Sequence, residues 1–510
     1  MDRKSRRTAL GVFGVSTAAL AGYTFRGGKK SEAAAQSPSR PATAFRAPGS
    51  RDARKLLNSW GIPQAGTHLT NDRKPGIHGY ASATSVARGG AVDFHVSVDR
   101  PQKFTVAVHR IGRQQPSGTE PLASSPALDG HRRAIPEAAA GTGLIACDWP
   151  SSWRLHIPQA WTSGLYLAVF TAEDGYRGYT PFVVRDTGRR SDILVVVPFT
   201  TYQAYNIWPL NGRTGKSLYK GYKSPGNLGG APERAAKVSF DRPYHHSGIP
   251  AWFELDAGFA QWAEGHGYDV TYASSIDLHQ GRVDTSRYKA VVFPGHDEYW
   301  SKPMVDSIKK SDADGTHLAF FASNNIYFHV RLEASARGTA GRVVACFKKD
   351  NDPELDTTGA TIRWRKVIDD GSLAEQGVIG TQYNGIVKTP VPLVVRKSDH
   401  WIWAGTGLRD GDELPYLVGI EADGYDPLMP SPTGYRRTLL SHSPYIDKRP
   451  DQPPNNLQST CISENKHGVL RFAAGTFFWS LALMDKRLPS EQVGKVTKNL
   501  LDRMVKPAQQ

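Results

Sequence analysis

Cysteine is scarce in this chain of 510 residues, which contains only Cys147, Cys346 and Cys461. None of the three belongs to a C-x-x-C pair, so the sequence excludes a zinc ribbon and a thioredoxin-type redox site. At most one disulfide bond can form, which argues against a small secreted fold held together by disulfides. The H-E-x-x-H motif and paired-histidine spacings are also missing, so no common zinc-hydrolase motif is present.

Long runs of one charge are missing as well. The chain has 63 Lys and Arg against 48 Asp and Glu, a net charge of +15, yet no run of five basic residues occurs. No nucleic-acid-binding motif is found, so we interpret the charge as a surface property and expect no nucleic-acid partner. A hydrophobic content of 39% excludes a mostly disordered chain. The length favours roughly three domains.

The N-terminus resembles a targeting signal. Residues 4–11 read KSRRTALG and are followed by an apolar stretch, residues 12–25, that is too short to span a bilayer. Small residues near Ala33–Ala35 complete a signal peptide over residues 1–35, and the pair Arg6-Arg7 indicates the twin-arginine type. A plain secretory signal or an uncleaved anchor is the alternative. We therefore expect export by the twin-arginine route to the cell envelope or beyond, with a Ser/Pro/Ala-rich linker at residues 36–60.

The chain after the linker begins with alternating apolar and polar residues. This period of two is typical of half-buried strands, and turn residues separate the strands. The clearest segments are residues 91–99, 103–111 and 164–170. The pattern predicts a β-sandwich domain over residues 61–186.

The pattern changes at about residue 187. Continuous apolar runs predict strands that are buried on both faces, and they alternate with helical periodicity. The predicted strands are residues 192–198, 268–274, 288–295 and 317–325, and the predicted helices are residues 252–267 and 489–504. This alternation favours an α/β domain over residues 187–505 with a doubly wound, mostly parallel sheet. Residues 385–430 look like a β-rich insertion.

Polar side chains follow three of these predicted strands. In an open α/β sheet, ligands bind beyond the carboxyl ends of the strands, so the three following segments are expected to meet. They are residues 198–222, 294–301 and 323–328. Their polar and aromatic residues include Tyr202, Tyr205, Tyr219, His296, Asp297, Glu298, Tyr299 and Asn324.

The turn at residues 294–298 contains neither Ser nor Cys, so it is not a nucleophile elbow. His296 and Glu298 are instead candidates for a general acid–base pair or for metal ligands. The alternative is that His296 only stabilises the turn. Phenol and carboxylate oxygens suit a hard cation better than a soft one. The residues alone leave this choice open.

Several segments resemble one known family. PGHDEYWS (294–301), TYQAYN (201–206), KSLY (216–219) and AFFASNNIYFHVRLE (319–333) resemble segments of N,N-dimethylformamidase large-subunit proteins in the same order. IEADGYDP (420–427), GTFFWSLAL (475–483) and WTSGLYLAVF (161–170) match as well. The resemblance covers about residues 60–500. Asp297 replaces the Pro of the family, and Ser323-Asn324-Asn325 replaces its Gly-Asn-Gly.

The resemblance implies a fold and a site. The fold would be similar to class I glutamine amidotransferases, and the activity that of an amidohydrolase with a mononuclear Fe(III). By motif, Glu298 would be the carboxylate ligand, Tyr219 one phenolate ligand and Tyr205 the other, with Tyr202 as the alternative. His296, Asn324 and Glu421 would face the substrate or support the ligands. The family also has a small partner subunit, which this sequence does not encode.

Two other functions stay open at this level. A non-catalytic secreted protein that binds carbohydrate or a cell surface would also use a β-sandwich, 12 Trp and 20 Tyr. A metal-dependent hydrolase could instead cleave another C–N bond or an ester at the same site. The sequence does not decide the oligomeric state, and a homo-oligomer remains open.

Overall fold

Two facing β-sheets form the N-terminal part of the structure, and a seven-stranded sheet lies at the centre of the rest. The computed structural model describes residues 53–71, 74, 76–113, 120–368, 371–450 and 455–506. These residues belong to one compact unit that spans residues 46–510. The predicted signal peptide and most of the predicted linker lie outside the described residues, although the end of the linker range forms the helix α1 (Ala53–Ser59).

The N-terminal part contains ten strands. They are β1 (His68–Leu69), β2 (Ile77–Ala81), β3 (Ser85–Ala87), β4 (Ala91–Val98), β5 (Gln102–Ile111), β6 (Ala123–Ser124), β7 (Leu128–Gly130), β8 (Trp153–His156), β9 (Gly164–Ala172) and β10 (Tyr176–Arg185).

These strands make two sheets with a shared apolar core. One sheet has the order β2-β4-β8, and the other runs β1-β10-β9-β5-β6 with β3 and β7 at its sides. Phe94 of the smaller sheet contacts Phe170 and Phe182 of the larger, at centroid distances of 6.0 and 5.8 Å. Gly79 allows the close approach, since a Cβ there would lie 2.6 Å from the Phe170 ring. The alternation in the sequence therefore reflects one buried face per strand.

The next part, up to residue 345, mixes strands with helices. Its elements are β11 (Ile193–Val197), α2 (Phe199–Tyr205), β12 (Gly221–Ser224), β13 (Asn227–Gly229), β14 (Lys237–Ser239), α3 (Phe253–Gly265), β15 (Val270–Ser274), α4 (Ser275–His279), β16 (Ala290–Phe293), β17 (Tyr299–Trp300), α5 (Lys302–Ala313), β18 (His317–Phe320), β19 (Phe328–His329), β20 (Arg331–Glu333) and β21 (Val343–Ala345).

The last part is mostly hairpins and ends with two helices. Its elements are α6 (Gln376–Ile379), β22 (Gln382–Ile386), β23 (Val391–Val394), β24 (Glu413–Val418), β25 (Glu421–Gly424), β26 (Tyr435–Leu439), β27 (Ser443–Ile446), β28 (Asn455–Gln458), β29 (Cys461–Asn465), β30 (Leu470–Ala473), α7 (Phe478–Ala482) and α8 (Ser490–Val505).

The central sheet has the strand order β15-β11-β16-β18-β30-β29-β26. Its first five strands pair in parallel, and β29 and β26 are antiparallel. Every residue of β11 and β16 is buried, as expected for strands covered on both faces. The carboxyl ends of β11, β16 and β18 are adjacent, so the loops that follow them start at one edge.

The predicted fold class, a doubly wound and mostly parallel α/β sheet of the glutamine amidotransferase type, is wrong. The described chain is 33% strand and 18% helix, and its strands form many small antiparallel or mixed sheets. Between β18 and β30 the chain forms the short antiparallel pairs β22–β25, β23–β24 and β27–β28. The prediction extended the pattern of four strongly apolar runs to the whole region, although short strand-like runs were visible at residues 385–430. The domain boundaries at residues 61–186 and 187–505, and the insertion at 385–430, stay predictions.

Polar contacts join the sandwich to the central sheet. Ser85 Oγ donates to Asp277 Oδ1 at 2.6 Å, and Arg185 Nε lies 3.2 Å from the same carboxylate. Asp277 is buried at the start of α4, directly after β15. The two parts are therefore held together by a buried carboxylate. Among the described residues, no helix has the length and apolar character needed to cross a membrane.

Candidate functional site

The side chains of Tyr205, Tyr219 and Glu298 meet beyond the carboxyl ends of the central strands. The Tyr205 hydroxyl donates to Glu298 Oε2 at 2.8 Å, and the Tyr219 hydroxyl lies 2.7 Å from both carboxylate oxygens. The two phenol oxygens are 3.1 Å apart, and their rings stack at a centroid distance of 4.6 Å. Three oxygen donors from three chain segments thus converge on one point.

Tyr205 is the last residue of α2, the seven-residue helix that follows β11. The sequence predicted only a strand-end loop here. The helix went unrecognised because six of its seven residues are buried, which removes the amphipathic periodicity that identifies a helix. The helix turns Tyr205 toward the site, and Asn206 caps its C-terminus.

The backbone of Glu298 is held from two sides. Its N–H donates to Thr201 Oγ1 at 2.9 Å, and its carbonyl accepts from the backbone N–H groups of Tyr327 and Phe328, each at 2.9 Å. Thr201 belongs to α2, and Tyr327 and Phe328 follow β18. These contacts fix the carboxylate between the segments that follow β11 and β18.

His296 lies beside the carboxylate of Glu298. Its Nε2 is 3.2 Å from Glu298 Oε2 and 3.3 Å from the Tyr205 hydroxyl, and its Nδ1 is 3.1 Å from the Ser323 carbonyl. Burial acts to lower the pKa of His296, but the bond to Glu298 holds it above its ordinary value. Burial acts to raise the pKa of Glu298, and His296 holds it below its ordinary value. The pair therefore favours its charged form.

The two phenols are held neutral by their surroundings. Burial, followed by the negative charge of Glu298, raises the pKa of Tyr205 and of Tyr219 well above the ordinary value. A cation bound between the three oxygens would act in the opposite direction, since positive charge favours the phenolate.

The buried Asn324 and the partly buried Glu421 form a second pair at the site. Asn324 has a left-handed backbone, with φ of 57°, and its Nδ2 donates to Glu421 Oε2 at 2.8 Å. Its N–H donates to Asp423 Oδ1 at 2.8 Å, while its own buried Oδ1 has no hydrogen-bond partner among the described residues. Burial raises the pKa of Glu421 to about 7. The hairpin β22–β25 brings Glu421 to the site.

Tyr202, the alternative phenol, is outside this cluster. Its hydroxyl donates to Asp256 Oδ2 at 2.5 Å, on the side of α3. The structure therefore brings Tyr205, Tyr219, Glu298 and His296 together and separates Tyr202 from them. The roles assigned to these residues stay predictions.

Sequence reasoning missed Lys348. Its ammonium lies 3.6 Å from the centre of the Tyr219 ring, a cation–π contact, and burial lowers its pKa to about 8. Lys348 comes some fifty residues after Glu298, in a loop with no motif, so no signal in the single sequence marks it. Its left-handed backbone, with φ of 54°, is visible only in the structure.

The donor set differs from common metal sites. Within the described residues, no group of three or more His, Cys, Asp or Glu side chains is placed to hold a metal ion. At the candidate site, two of the three donors are tyrosines. The three cysteines are buried and form no disulfide bond.

Parts of the chain are similar to curated proteins. It is 25% identical to an N,N-dimethylformamidase beta subunit from Alcaligenes sp. over 222 residues, which are 37% of this chain and 29% of the relative. It is 31% identical to an N,N-dimethylformamidase beta subunit from Paracoccus aminophilus over 94 residues, 18% of this chain and 12% of the relative. The matched parts therefore span less than a third of either relative. Both names describe one subunit of a multi-subunit enzyme.

Similarity to solved structures is low. A cycloisomaltooligosaccharide glucanotransferase from Paenibacillus sp. aligns over 80% of this chain and 72% of its own, with 10% identity and a TM-score of only 0.17. Such a score does not indicate a shared fold. The sequence model for the C-terminal region of N,N-dimethylformamidase beta subunit-like proteins, in contrast, matches residues 105–493. Since this match covers well over half of the residues, the chain belongs to the N,N-dimethylformamidase beta subunit-like family.

Proposed function

We propose that this protein is an exported hydrolase that cleaves the C–N bond of a small linear amide, with one iron ion held by Tyr205, Tyr219 and Glu298. The observation that carries the proposal is the convergence of two partly buried phenols on one buried carboxylate, with oxygens 2.7–3.1 Å apart. The names of the curated relatives support an amide as the substrate.

The donor set fits a hard cation. Neighbouring ligands around a small cation with bonds of about 2.0–2.1 Å in octahedral geometry stand about 2.9 Å apart. The oxygens of Tyr205, Tyr219 and Glu298 already have this spacing, with 3.1 Å between the phenols and 2.8 and 2.7 Å to the carboxylate. Phenolate and carboxylate are hard oxygen ligands, which favour a hard ion such as Fe(III) over a soft one.

When bound, the ion would polarise the amide carbonyl and make water a stronger nucleophile, which together lower the barrier by several kcal/mol. Side chains of the protein would carry out the proton transfers. Glu421, with a pKa raised to about 7, is a base near neutral pH that can take a proton from water and return it to the amine nitrogen. The bond from Asn324 Nδ2 to Glu421 Oε2 orients this carboxylate. His296 holds the Glu298 carboxylate through Nε2.

The test is hydrolysis of N,N-dimethylformamide, followed as release of formate and dimethylamine. Glu298→Gln keeps the size of the side chain and removes its negative charge, so we expect kcat/KM to fall at least about a hundredfold, the equivalent of a few kcal/mol. Glu333→Gln is the matched control, since Glu333 pairs with Lys237 on a partly exposed surface.

Retention of full activity by Glu298→Gln would contradict the assignment of the carboxylate. A wild-type protein that cleaves no amide but binds polysaccharide would favour the alternative function, a secreted binding protein.

A further inference from the structure

Lys348 places a positive charge beside the site, where the negative charge of Glu298 acts on it. Its Nζ lies 3.6 Å from the centre of the Tyr219 ring and 4.4 Å from that of Phe328. The ammonium forms no hydrogen bond or ion pair with any residue that the structure describes. The aromatic faces offset part of the cost of removing a charge from water.

Arg363 is a second cation at the same side of the site. Its guanidinium carbon lies 5.5 Å from the centre of the Tyr327 ring. Like Lys348, its side chain makes no hydrogen bond or ion pair within the described part of the chain. Arg363 is exposed, whereas Tyr327 beneath it is buried, so the guanidinium lies on the solvent side of that ring.

Backbone contacts fix both cations relative to Glu298. The N–H of Lys348 donates to the Thr361 carbonyl at 2.9 Å. Arg363 forms an antiparallel β-bridge with Phe328. The N–H groups of Tyr327 and Phe328 in turn donate to the Glu298 carbonyl. Lys348 and Arg363 therefore flank the segment that holds the carboxylate.

Other cations nearby are already neutralised. Arg365 pairs with Glu375, and Arg449 pairs with Asp447 through two oxygens. Both of these arginines also lie over tyrosine rings, at 5.5 Å for Arg365 and 5.4 Å for Arg449. All three arginines therefore lie over tyrosine rings, and Arg363 differs from Arg365 and Arg449 in having no carboxylate partner among the described residues.

The charge balance changes once Glu298 serves as a ligand. If Tyr205 and Tyr219, as phenolates, and Glu298 held a trivalent ion, their three negative charges would balance the ion, and Glu298 would no longer balance Lys348. Lys348, and Arg363 on the solvent side of Tyr327, would then be two positive charges next to the site. Buried or clustered cations of this kind attract an anionic partner.

We propose that the site takes an amide that carries an anionic group, such as the carboxylate of an N-acyl amino acid, and that Lys348 and Arg363 bind this group. The inference rests on the proposed amide hydrolysis. For N-formylglycine, the oxygen of water adds to the formyl carbon and the C–N bond breaks. Its electron pair and a proton from water go to nitrogen, which releases formate and glycine.

The test compares N-formylglycine with N-isobutylformamide, in which a neutral isopropyl group replaces the carboxylate. We expect kcat/KM to be about tenfold or more higher for N-formylglycine, as one charge-assisted hydrogen bond contributes about 1.5–3 kcal/mol. Arg363→Gln is expected to lower the ratio of the two kcat/KM values about tenfold. Arg154→Gln is the control, since Arg154 pairs with Asp93 on the exposed surface of the N-terminal sheets, and it leaves the ratio unchanged.

Ionic strength gives a second measurement that needs no variant. The preference for N-formylglycine is expected to shrink as salt increases from about 0.01 to 1 M, because salt screens the attraction. Equal rates for the two formamides, or a preference for the neutral one, overturn this inference and leave the amide hydrolase intact. If neither formamide is cleaved while N,N-dimethylformamide is, the inference also fails. If none of the three is cleaved, the proposed function fails with it.

Discussion

Two tyrosines of α2 illustrate how local contacts select a ligand. Tyr202 and Tyr205 are three residues apart, so on a helix they lie about 60° from each other and face nearly the same way. The family resemblance favoured Tyr205 and kept Tyr202 as the alternative, without a predicted helix at this place. Tyr202 donates to the buried Asp256, whereas Tyr205 donates to Glu298. Asp256 and Glu298, which are distant from α2 in the sequence, therefore give the two tyrosines different surroundings.

Substitution of each phenol tests this selection. Tyr205→Phe and Tyr219→Phe remove oxygen donors, so we expect loss of the visible absorption band that phenolate ligands give to bound iron. Tyr202→Phe is the control, and it should keep the band and lower the free energy of unfolding by about 1–3 kcal/mol, since Asp256 loses a buried partner. An unchanged spectrum in Tyr219→Phe, or a lost band in Tyr202→Phe, would show that the cluster does not hold the metal.

The site residues also show where sequence reasoning ends. Glu298, His296 and Asn324 could be placed at one edge because each follows a strongly apolar run that forms a strand. Lys348 and Arg363 could not, because they reach the site through an irregular segment whose course depends on backbone bonds to Thr361 and Tyr327. Such contacts leave no periodicity in the sequence.

At the scale of elements, the strands and helices that were predicted correctly are those with strongly apolar, buried residues. Residues 192–198 and 317–325 contain β11 and β18, and residues 252–267 contain α3, because continuous apolar runs and an apolar helix face are strong signals. The sequence showed short strand-like runs at residues 385–430, but it did not predict how the strands between β18 and β30 pair. Strands such as β24 alternate irregularly between exposed and buried residues, and β22 and β25 are interrupted by a register shift. The α/β prediction failed for this reason.

One polar contact holds the central sheet together in a way that acid should weaken. His317, in β18, accepts a hydrogen bond at Nδ1 from the Leu470 N–H of β30 at 2.8 Å. Burial lowers the pKa of His317 to about 4. The unfolded chain, with a histidine pKa near 6.5, binds the proton first as pH falls, so the folded state loses stability between about pH 6.5 and 4.

Urea unfolding at pH 7.5 and pH 5.0 measures this effect. Between these values the His317 contribution to the free energy of unfolding should drop by about 2 kcal/mol. His317→Gln keeps an acceptor oxygen but cannot be protonated, so the variant should lose about 2 kcal/mol less than the wild type on acidification. His467→Gln, at an exposed turn, should behave as the wild type. Equal acid sensitivity of wild type and His317→Gln would show that His317 is not the titrating group.

At the scale of the whole molecule, the predicted export depends on residues that lie outside the described part of the chain. The predicted twin-arginine signal lies in residues 1–35. Replacing Arg6 and Arg7 together with Lys keeps the charge but removes the arginine pair, so the protein should stay in the cytoplasm when the cells are fractionated. Arg26→Lys is the control and should be exported as the wild type. Normal export of the double variant would favour a plain secretory signal.

The central claim concerns the whole molecule as purified: a cation held by Tyr205, Tyr219 and Glu298. The most direct test is elemental analysis of the full chain, prepared without chelators, beside Glu298→Gln prepared in the same way. We predict about one iron per chain in the wild type and a loss of most of it in the variant. A wild-type protein that contains no metal yet hydrolyses amides, or a variant with the same iron content as the wild type, would contradict the account.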